Sequence, residues 1–392
     1  MKLSELAESL EDGVCIGDAE VSSLVVHSGS AVEGSLFICL PGTRSDGHFF
    51  VEDALKRGAV GAVVSQQEAG EFVKSRGKAV LWVRDTVEAC WRISKAFYGD
   101  PSRDLTVVGI TGTNGKTTVA WLTWQALRAL HRRAGYLGTL GAYGEKERRE
   151  LDLTTPFPPA LQETLRNFRD QGVEVVVMEV SSHALAQKRV DGVEFDYAVF
   201  TNLSQDHFDY HQDMESYFQA KRRLFGGLPQ SKTLTSICNA DDEYGRRLLQ
   251  EVSRKVEFGT TAKDLRILSA YGDAHSVRVE ASWRGREVRL EAPLAGRFNV
   301  MNLSACFALV ASMGVEPERL AEVLRGVRPA PGRFEVVSSS EDDLTVIVDY
   351  AHTPDALEKL LLSVRDLSPP RVVTVFGCGG DRDATKRPLM GA

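Results

Sequence analysis

Between Thr106 and Leu130 the chain runs from a short β-rich stretch, Thr106–Ile110, through Thr111-Gly112-Thr113-Asn114-Gly115-Lys116-Thr117-Thr118 into a helix. Val119, Leu122, Ala126 and Leu130 share one face of that helix. A strand, a Gly-rich turn and a helix in this order predict a strand–loop–helix unit whose turn cradles a phosphate. The glycines let backbone N–H groups approach an anion closely, and the helix N-terminus adds its partial positive charge. Lys116 has the reach for terminal phosphates, and the Thr117 hydroxyl suits Mg²⁺. The candidate phosphate-binding residues are therefore Gly112, Thr113, Asn114, Gly115, Lys116, Thr117 and Thr118. The general pattern places a glycine six positions before the lysine. Ile110 stands there instead, so the loop is a variant.

Two further apolar runs, Val175–Val180 and Ala198–Asn202, read as strands with helical stretches between them, the βαβ signature of a parallel sheet covered by helices. Upstream, Val60–Val64 and Val80–Val83 read as short buried strands and residues 84–98 as a helix stopped by Gly99-Asp100-Pro101. A second boundary falls at Arg328-Pro329-Ala330-Pro331-Gly332; beyond it Leu344–Asp349 and Arg371–Gly377 read as strands around a helix. The expected division is 1–100, 101–330 and 331–392. The last segment reaches only two strands, short for a doubly wound domain, so it is expected to be a partial one.

With 43% hydrophobic residues the chain has enough apolar material for a core in each segment. Its net charge of -7 argues against general nucleic-acid or membrane-surface binding. Six scattered cysteines form no CxxC pair, which suits a reducing cytosol. Met1–Gly13 lacks the basic start and apolar run of a signal peptide, and no stretch of eighteen apolar residues exists. The chain is expected to be cytoplasmic.

In a parallel sheet, residues just past the carboxyl ends of the strands meet at the ligand crevice. Glu179, at the end of Val175–Val180, and His207, beyond Ala198–Asn202, are thus expected near the phosphate loop, where a carboxylate and an imidazole could complete a Mg²⁺ site. Singly, Glu179 could equally cap a helix and His207 be a hydrogen-bonded loop histidine. Lys221 lies inside an apolar stripe of Tyr217, Phe218, Leu224 and Phe225. A lysine there either snorkels, pairs with an acid, or is a desolvated amine modified by CO₂; composition leaves these open.

Together these segments resemble the Mur ligases. The loop Thr111–Thr118 matches that family's variant, including the missing glycine. Met178-Glu179-Val180-Ser181-Ser182-His183-Ala184-Leu185, Thr201–His211, Asp349-Tyr350-Ala351-His352-Thr353-Pro354-Asp355-Ala356-Leu357 and Gly377-Cys378-Gly379-Gly380-Asp381-Arg382-Asp383 look like the third ligase of the series. The resemblance implies a three-domain α/β architecture with a central P-loop parallel sheet and an incomplete Rossmann-like C-terminal domain. It implies an ATP- and Mg²⁺-dependent, ADP-forming ligase that adds meso-diaminopimelate or L-lysine to UDP-N-acetylmuramoyl-L-alanyl-D-glutamate through an acyl phosphate, in peptidoglycan synthesis. By resemblance Thr117 and Glu179 bind one Mg²⁺, and His207 and carbamylated Lys221 help hold a second. Lys116, Glu179, His207 and Lys221 are the implied catalytic group. Asn299 and Asn302 look like adenine-side asparagines, although helix capping also accounts for them. Arg333 and Asp349 match nucleotide contacts.

For the muramoyl dipeptide the implied contacts are Thr154, Thr155, Ser182 and Arg189, with Ser28, Thr43, Asp46, Gly47 and His48 on the UDP side. Where the family usually has Asp-Ser-Arg, this chain has His27-Ser28-Gly29 and lacks the arginine. Arg382 looks like a contact to the incoming amino acid. Family members continue for roughly a hundred residues more, and that part carries the motif that separates diaminopimelate from lysine. A chain ending at Ala392 is expected to lose most ligase turnover. Partners are expected to be small-molecule substrates, with no nucleic acid or membrane, and the protein a monomer. The other readings are a folylpolyglutamate- or cyanophycin-synthetase-like ligase and an inactive nucleotide-binding fragment.

Overall fold

The computed structural model describes residues 1–392 other than 43–44, 209, 340–341, 352–353, 379–385 and 392. It is an α/β protein. The N-terminal segment holds α1 (Leu3–Ala7), β1 (Val14–Ile16), β2 (Ser23–Val25), β3 (Ser35–Ile38), α2 (Val51–Lys56), β4 (Gly61–Val64), α3 (Gln67–Ser75), β5 (Ala79–Trp82) and α4 (Thr86–Phe97). Its strands form one sheet in the order β1-β5-β4-β3-β2, with only β1 antiparallel to its neighbour. Because side chains alternate along a strand, Leu36, Ile38, Val63 and Leu81 enter one core with Leu3, Leu6 and Ile93, while Phe37, Cys39, Ala62, Val64 and Val80 enter another with Val51 and Val73. A sheet buried on both faces reads as continuous apolar runs, which is why Val60–Val64 and Val80–Val83 are legible to within a residue. Asp85 caps α4 by accepting from the Val87 and Glu88 amides.

The remaining elements are β6 (Thr106–Thr111), α5 (Lys116–Ala129), β7 (Ala134–Gly138), β8 (Gly141–Tyr143), β9 (Arg148–Arg149), α6 (Pro158–Asp170), β10 (Val175–Glu179), α7 (Ser182–Ala186), β11 (Tyr197–Phe200), α8 (Met214–Arg222), β12 (Thr235–Asn239), α9 (Glu243–Glu251), β13 (Lys255–Gly259), β14 (Leu265–Gly272), β15 (Val277–Trp283), β16 (Arg286–Ala292), α10 (Asn299–Ser312), α11 (Pro317–Leu324), β17 (Glu335–Val336), β18 (Ile347–Val348), α12 (Pro354–Arg365) and α13 (Lys386–Gly391). Within this part of the chain β10-β7-β8-β9 are successive neighbours in one run of strands, and β16-β15-β14-β13-β12-β11 in another.

The chain divides into two compact units, one of Met1–Gly109, Arg133–Asp196 and His207–Leu234, the other of Ile110–Arg132, Tyr197–Asp206 and Thr235–Ala392. In the first, β10 runs parallel to β7, and β8 and β9 continue from β7 as an antiparallel ribbon. The segment after α4 is pinned: the Lys232 ammonium donates to the Ser102 and Leu105 carbonyls and to the Asp196 carboxylate. In the second, β11, β12, β13 and β14 are parallel neighbours, and β14, β15 and β16 form an antiparallel meander. Helix α10 is buried along nearly its whole length and packs on α5 and on β12–β14; its all-round apolar surface fits that central place.

Three strand expectations need correction. Ala198–Asn202 ends as a strand at Phe200, because the Thr201 and Asn202 polar groups bond to the phosphate loop rather than to a ladder. Within Leu344–Asp349 only Ile347–Val348 pairs, with Glu335–Val336. Arg371–Gly377 joins no ladder among the described residues, and Val375 is 95% exposed. A β-rich composition becomes a strand only where a neighbour takes its backbone hydrogen bonds.

Gly70 sits in α3 where an added Cβ would lie 2.1 Å from the Trp82 ring. Gly70→Ala gains about 1 kcal/mol of helix propensity but forces the indole to move, at about 1–3 kcal/mol. Urea unfolding is expected to show a net loss of stability.

Candidate functional site

The phosphate loop leaves β6 with Gly112 at φ +147° and enters α5 through Gly115 at φ +87°. Both values lie where side-chain-bearing residues rarely go. Space adds a second reason: a Cβ on Gly112 would lie 1.9 Å from Thr201 Oγ1, and one on Gly115 would lie 2.3 Å from Asn302 Oδ1. No side chain caps α5, so its first turn presents N–H groups that no helix carbonyl can reach. The Lys116 ammonium folds back onto the loop, donating to Gly112 O (3.0 Å) and Thr113 O (2.9 Å). Thr117 and Thr118 are buried in the first turn of α5. Asn299, at the start of α10, donates from Nδ2 to Ala295 O (2.7 Å) and accepts from Asn302 Nδ2 (2.8 Å). Further along the same unit, Asp349 accepts from the Phe334 and Ala351 amides (2.7 and 2.8 Å), and the Arg333 guanidinium lies 5.1 Å from the Tyr350 ring centroid.

In the other unit Glu179 ends β10 and is wholly buried. A buried carboxylate needs donors, and three are supplied: Tyr136 Oη–H to Oε1 (2.6 Å), the Thr139 amide to Oε1 (2.9 Å) and Thr139 Oγ1–H to Oε2 (3.2 Å). Neither Tyr136 nor Thr139 was anticipated. The available signal was Gly138-Thr139 directly after an apolar strand, where a Cβ on Gly138 would meet Glu179 Oε1 at 2.3 Å. The other expected residues gather on the same network. Thr154 Oγ1 is 3.1 Å from Thr139 Oγ1. Thr155 Oγ1 donates to Glu179 O (2.9 Å) and accepts from the Ser181 amide (3.1 Å). Ser181 caps α7, whose first residue is the buried Ser182.

Arg189 donates from Nη1 to Thr155 O (2.9 Å) and from Nε to Gln187 Oε1 (2.9 Å), with its guanidinium 4.2 Å above the Phe157 ring. Burial pulls its pKa down to about 10, which leaves it charged at neutral pH. The same Phe157 ring meets the His27 ring in a T-shaped contact, with centroids 5.8 Å apart. The His27-Ser28-Gly29 stretch and the Thr155–Arg189 network therefore border one aromatic ring. The Ser28 hydroxyl and the Arg57 guanidinium beside it hold the Asp53 carboxyl below its usual range.

Asp46 caps the short turn Gly47–Phe50 by accepting from the His48 amide. His48 Nδ1 lies 2.5 Å from Asp46 Oδ1, and its Nε2 accepts from the Ser65 amide at 3.0 Å. Since a backbone N–H only donates, the ring proton sits on Nδ1 and both nitrogens are committed within the chain. His207 has φ +56° and its ring lies 4.9 Å from that of His183, which also meets Tyr210 at 4.3 Å and His211 at 5.7 Å. Lys221 is 1% exposed, as its place in the apolar stripe predicts, with Nζ 4.4 Å from the Tyr217 ring centroid. Thr43 and Arg382 lie outside the described residues.

Two outcomes follow from this geometry. Tyr136→Phe removes a donor from a buried carboxylate and is expected to cost about 1–3 kcal/mol in urea unfolding. Burial alone would raise the Asp46 carboxyl, but the bonds from His48 and Gln66 outweigh it and hold its pKa below the usual range. The stability this contributes is present above the unfolded carboxyl pKa of about 4 and disappears as pH falls through the lower folded value. Acid titration should therefore show the gap between wild type and Asp46→Asn narrowing below about pH 4.

Residues 110–310 match the Mur ligase middle domain, residues 21–98 the Mur ligase family catalytic domain, and residues 332–392 the Mur ligase glutamate ligase domain. A UDP-N-acetylmuramoyl-L-alanyl-D-glutamate–2,6-diaminopimelate ligase of Gloeobacter violaceus is 42% identical over 393 residues, covering 100% of this chain and 79% of that protein. The enzyme of that name from Thermosynechococcus vestitus is 43% identical over 386 residues, covering 95% and 75%. A solved structure of a UDP-N-acetylmuramoyl-L-alanyl-D-glutamate–2,6-diaminopimelate ligase superposes with a TM-score of 0.73 at 28% identity, covering 95% of this chain and 75% of that one. With a matching variant phosphate loop, a buried strand-end carboxylate and family domains along most of its length, the chain belongs to the Mur ligase family.

Proposed function

We propose that the protein is the ADP-forming ligase that joins the third amino acid to UDP-N-acetylmuramoyl-L-alanyl-D-glutamate in peptidoglycan synthesis. The observation that carries this reading is identity above 40%, over essentially the whole chain, to relatives named for that reaction. Both are named for 2,6-diaminopimelate, which we take as the amino acid added. We take 1–100 as the UDP-binding domain, 101–330 as the central ATP-binding domain and 331–392 as belonging to the C-terminal ligase domain. We place the enzyme in the cytoplasm, as a monomer acting on small molecules; among the described residues no helix is long and apolar enough to cross a membrane.

The reaction passes the γ-phosphoryl group of ATP to the substrate carboxylate, and the incoming amine then displaces phosphate from the acyl phosphate. Gly112 to Thr118 hold the nucleotide phosphates. Lys116 exchanges its bonds to the Gly112 and Thr113 carbonyls for phosphate oxygens, so its charge is already poised beside the loop. Asn299, Arg333 and Asp349 serve the nucleoside side.

The donors suit Mg²⁺: Thr117 and Glu179 offer hard oxygens. Among the described residues no three His, Cys, Asp or Glu side chains form a ready-made cage, in keeping with an ion that takes most of its ligands from phosphate and water. Bound there, Mg²⁺ would neutralise charge on the transferring phosphoryl group. Thr117 and Glu179 would hold one ion, and His207 with carbamylated Lys221 a second. The donors from Tyr136 and Thr139 hold Glu179 in one orientation. Arg189, desolvated yet charged, meets an anionic part of the muramoyl peptide together with Thr154, Thr155 and Ser182. Ser28, Thr43, Asp46, Gly47 and His48 serve the uridine diphosphate end, and Arg382 the amino acid.

Titration of UDP-N-acetylmuramoyl-L-alanyl-D-glutamate while following Tm tests the reading, with UDP-N-acetylmuramoyl-L-alanine and the tripeptide precursor as comparators. A ligand at a hundredfold excess over Kd stabilises by about 2.7 kcal/mol. A shift preferring the dipeptide precursor is expected. Folded protein that responds to none of the three overturns the substrate assignment.

A further inference from the structure

We infer that Asn202 is the positioning residue of the phosphate loop, holding it in its anion-binding shape from outside. The inference rests on the reading that this loop receives nucleotide phosphate. Strand β11 stops at Phe200, and Thr201 to Ser204 then run beside the loop. Asn202 Oδ1 accepts from the Asn114 amide (3.0 Å) while its Nδ2 donates to Asn114 O (3.2 Å). One carboxamide thus does what the peptide unit of a neighbouring strand would do, satisfying both backbone groups of a single loop residue. Asn202 O also accepts from the Thr113 amide (2.8 Å). On either side, Thr201 Oγ1 donates to Asn114 O (2.6 Å), and Thr113 Oγ1 donates to Ser204 O (3.1 Å) and accepts from the Ser204 amide (3.0 Å).

The brace is itself fixed. Thr201 O accepts from Asn239 Nδ2 (2.8 Å), and the Leu203 amide donates to Asp242 Oδ2 (3.0 Å), whose other oxygen caps α9. Two consequences follow for the anion. The Thr113 and Asn114 amides are committed to Asn202, so within residues 112–118 these two shape the loop while the first turn of α5 and Lys116 face the phosphate. The brace also helps hold the loop in shape without phosphate, because it takes up the Thr113 and Asn114 amides and Asn114 O. Only a carboxamide serves at 202: aspartate would set an anionic acceptor against Asn114 O, and alanine would leave both Asn114 groups without this partner.

Calorimetric titration of an ATP analogue with Mg²⁺, and separately of the UDP-dipeptide precursor, into wild type, Asn202→Ala and Asn202→Asp tests this. Nucleotide affinity is expected to fall about tenfold or more in both variants, further for Asn202→Asp, while precursor affinity stays within about twofold. Wild type that binds precursor but no nucleotide overturns the assignment of the loop itself. Wild type that binds both, with Asn202→Ala matching its nucleotide affinity, overturns only the role of Asn202. Parallel loss of both ligands also overturns it, since a general weakening of the fold is not positioning. Should Asn202→Ala fail to fold, Asn202→Ser, which keeps one hydroxyl, reads the same ratio of affinities.

Discussion

A polar group that leaves a buried strand must be handed to a new partner, and the arrangement of this protein around its phosphate loop and its buried carboxylate follows from that constraint. Glu179 is the sharpest case: a carboxylate with no solvent exposure is tolerable only when donors surround it. Tyr136 and Thr139 supply them from the end of a neighbouring parallel strand, and Thr155 takes up the Glu179 carbonyl. In the other unit the same demand at the end of β11 is met by the phosphate loop. The carboxyl ends of the strands become chemical sites because ladder bonding stops there while burial does not.

Charge is handled by the same logic. Arg189 keeps its guanidinium buried by stacking it on Phe157 and committing donors to Thr155 O and Gln187. Lys221 is buried with its Nζ over the Tyr217 ring. His48 is held as a single tautomer between Asp46 and Ser65, so a histidine that reads as a ligand contact also braces its own turn. A desolvated charge interacts more strongly than one in water, and the Arg189 guanidinium is kept in that state by the Phe157 ring.

Much of this was legible because it is local. The phosphate loop is a contiguous run whose glycines have conformational and steric reasons to be glycine, and Lys221 betrayed its burial through the spacing of Tyr217, Phe218, Leu224 and Phe225. Two short strands of the first sheet, β4 and β5, are continuous apolar runs and fall where expected, whereas β1, β2 and β3 were not anticipated. Tyr136 and Thr139 were missed because they lie about forty positions before the carboxylate they serve; nothing in a strand sequence says which distant side chain its end will face. The meander β14–β16 was also not anticipated, although Val277–Trp283 alternates buried and exposed residues cleanly. Arg371–Gly377 has the composition of a strand but no ladder among the described residues.

The sequence by itself determined the phosphate loop, the α/β alternation, the apolar setting of Lys221 and the motifs that carry the family resemblance, all of which rest on neighbours within a few turns or one strand. Only the tertiary structure decided that Glu179 is held by Tyr136 and Thr139, that His27 and Arg189 border one phenylalanine, and that Asn202 pairs with the Asn114 backbone. These are meetings of residues tens of positions apart. A hydrogen bond needs its partners within about 3 Å, and side-chain spacing along a chain carries no such distance until strands and helices have packed.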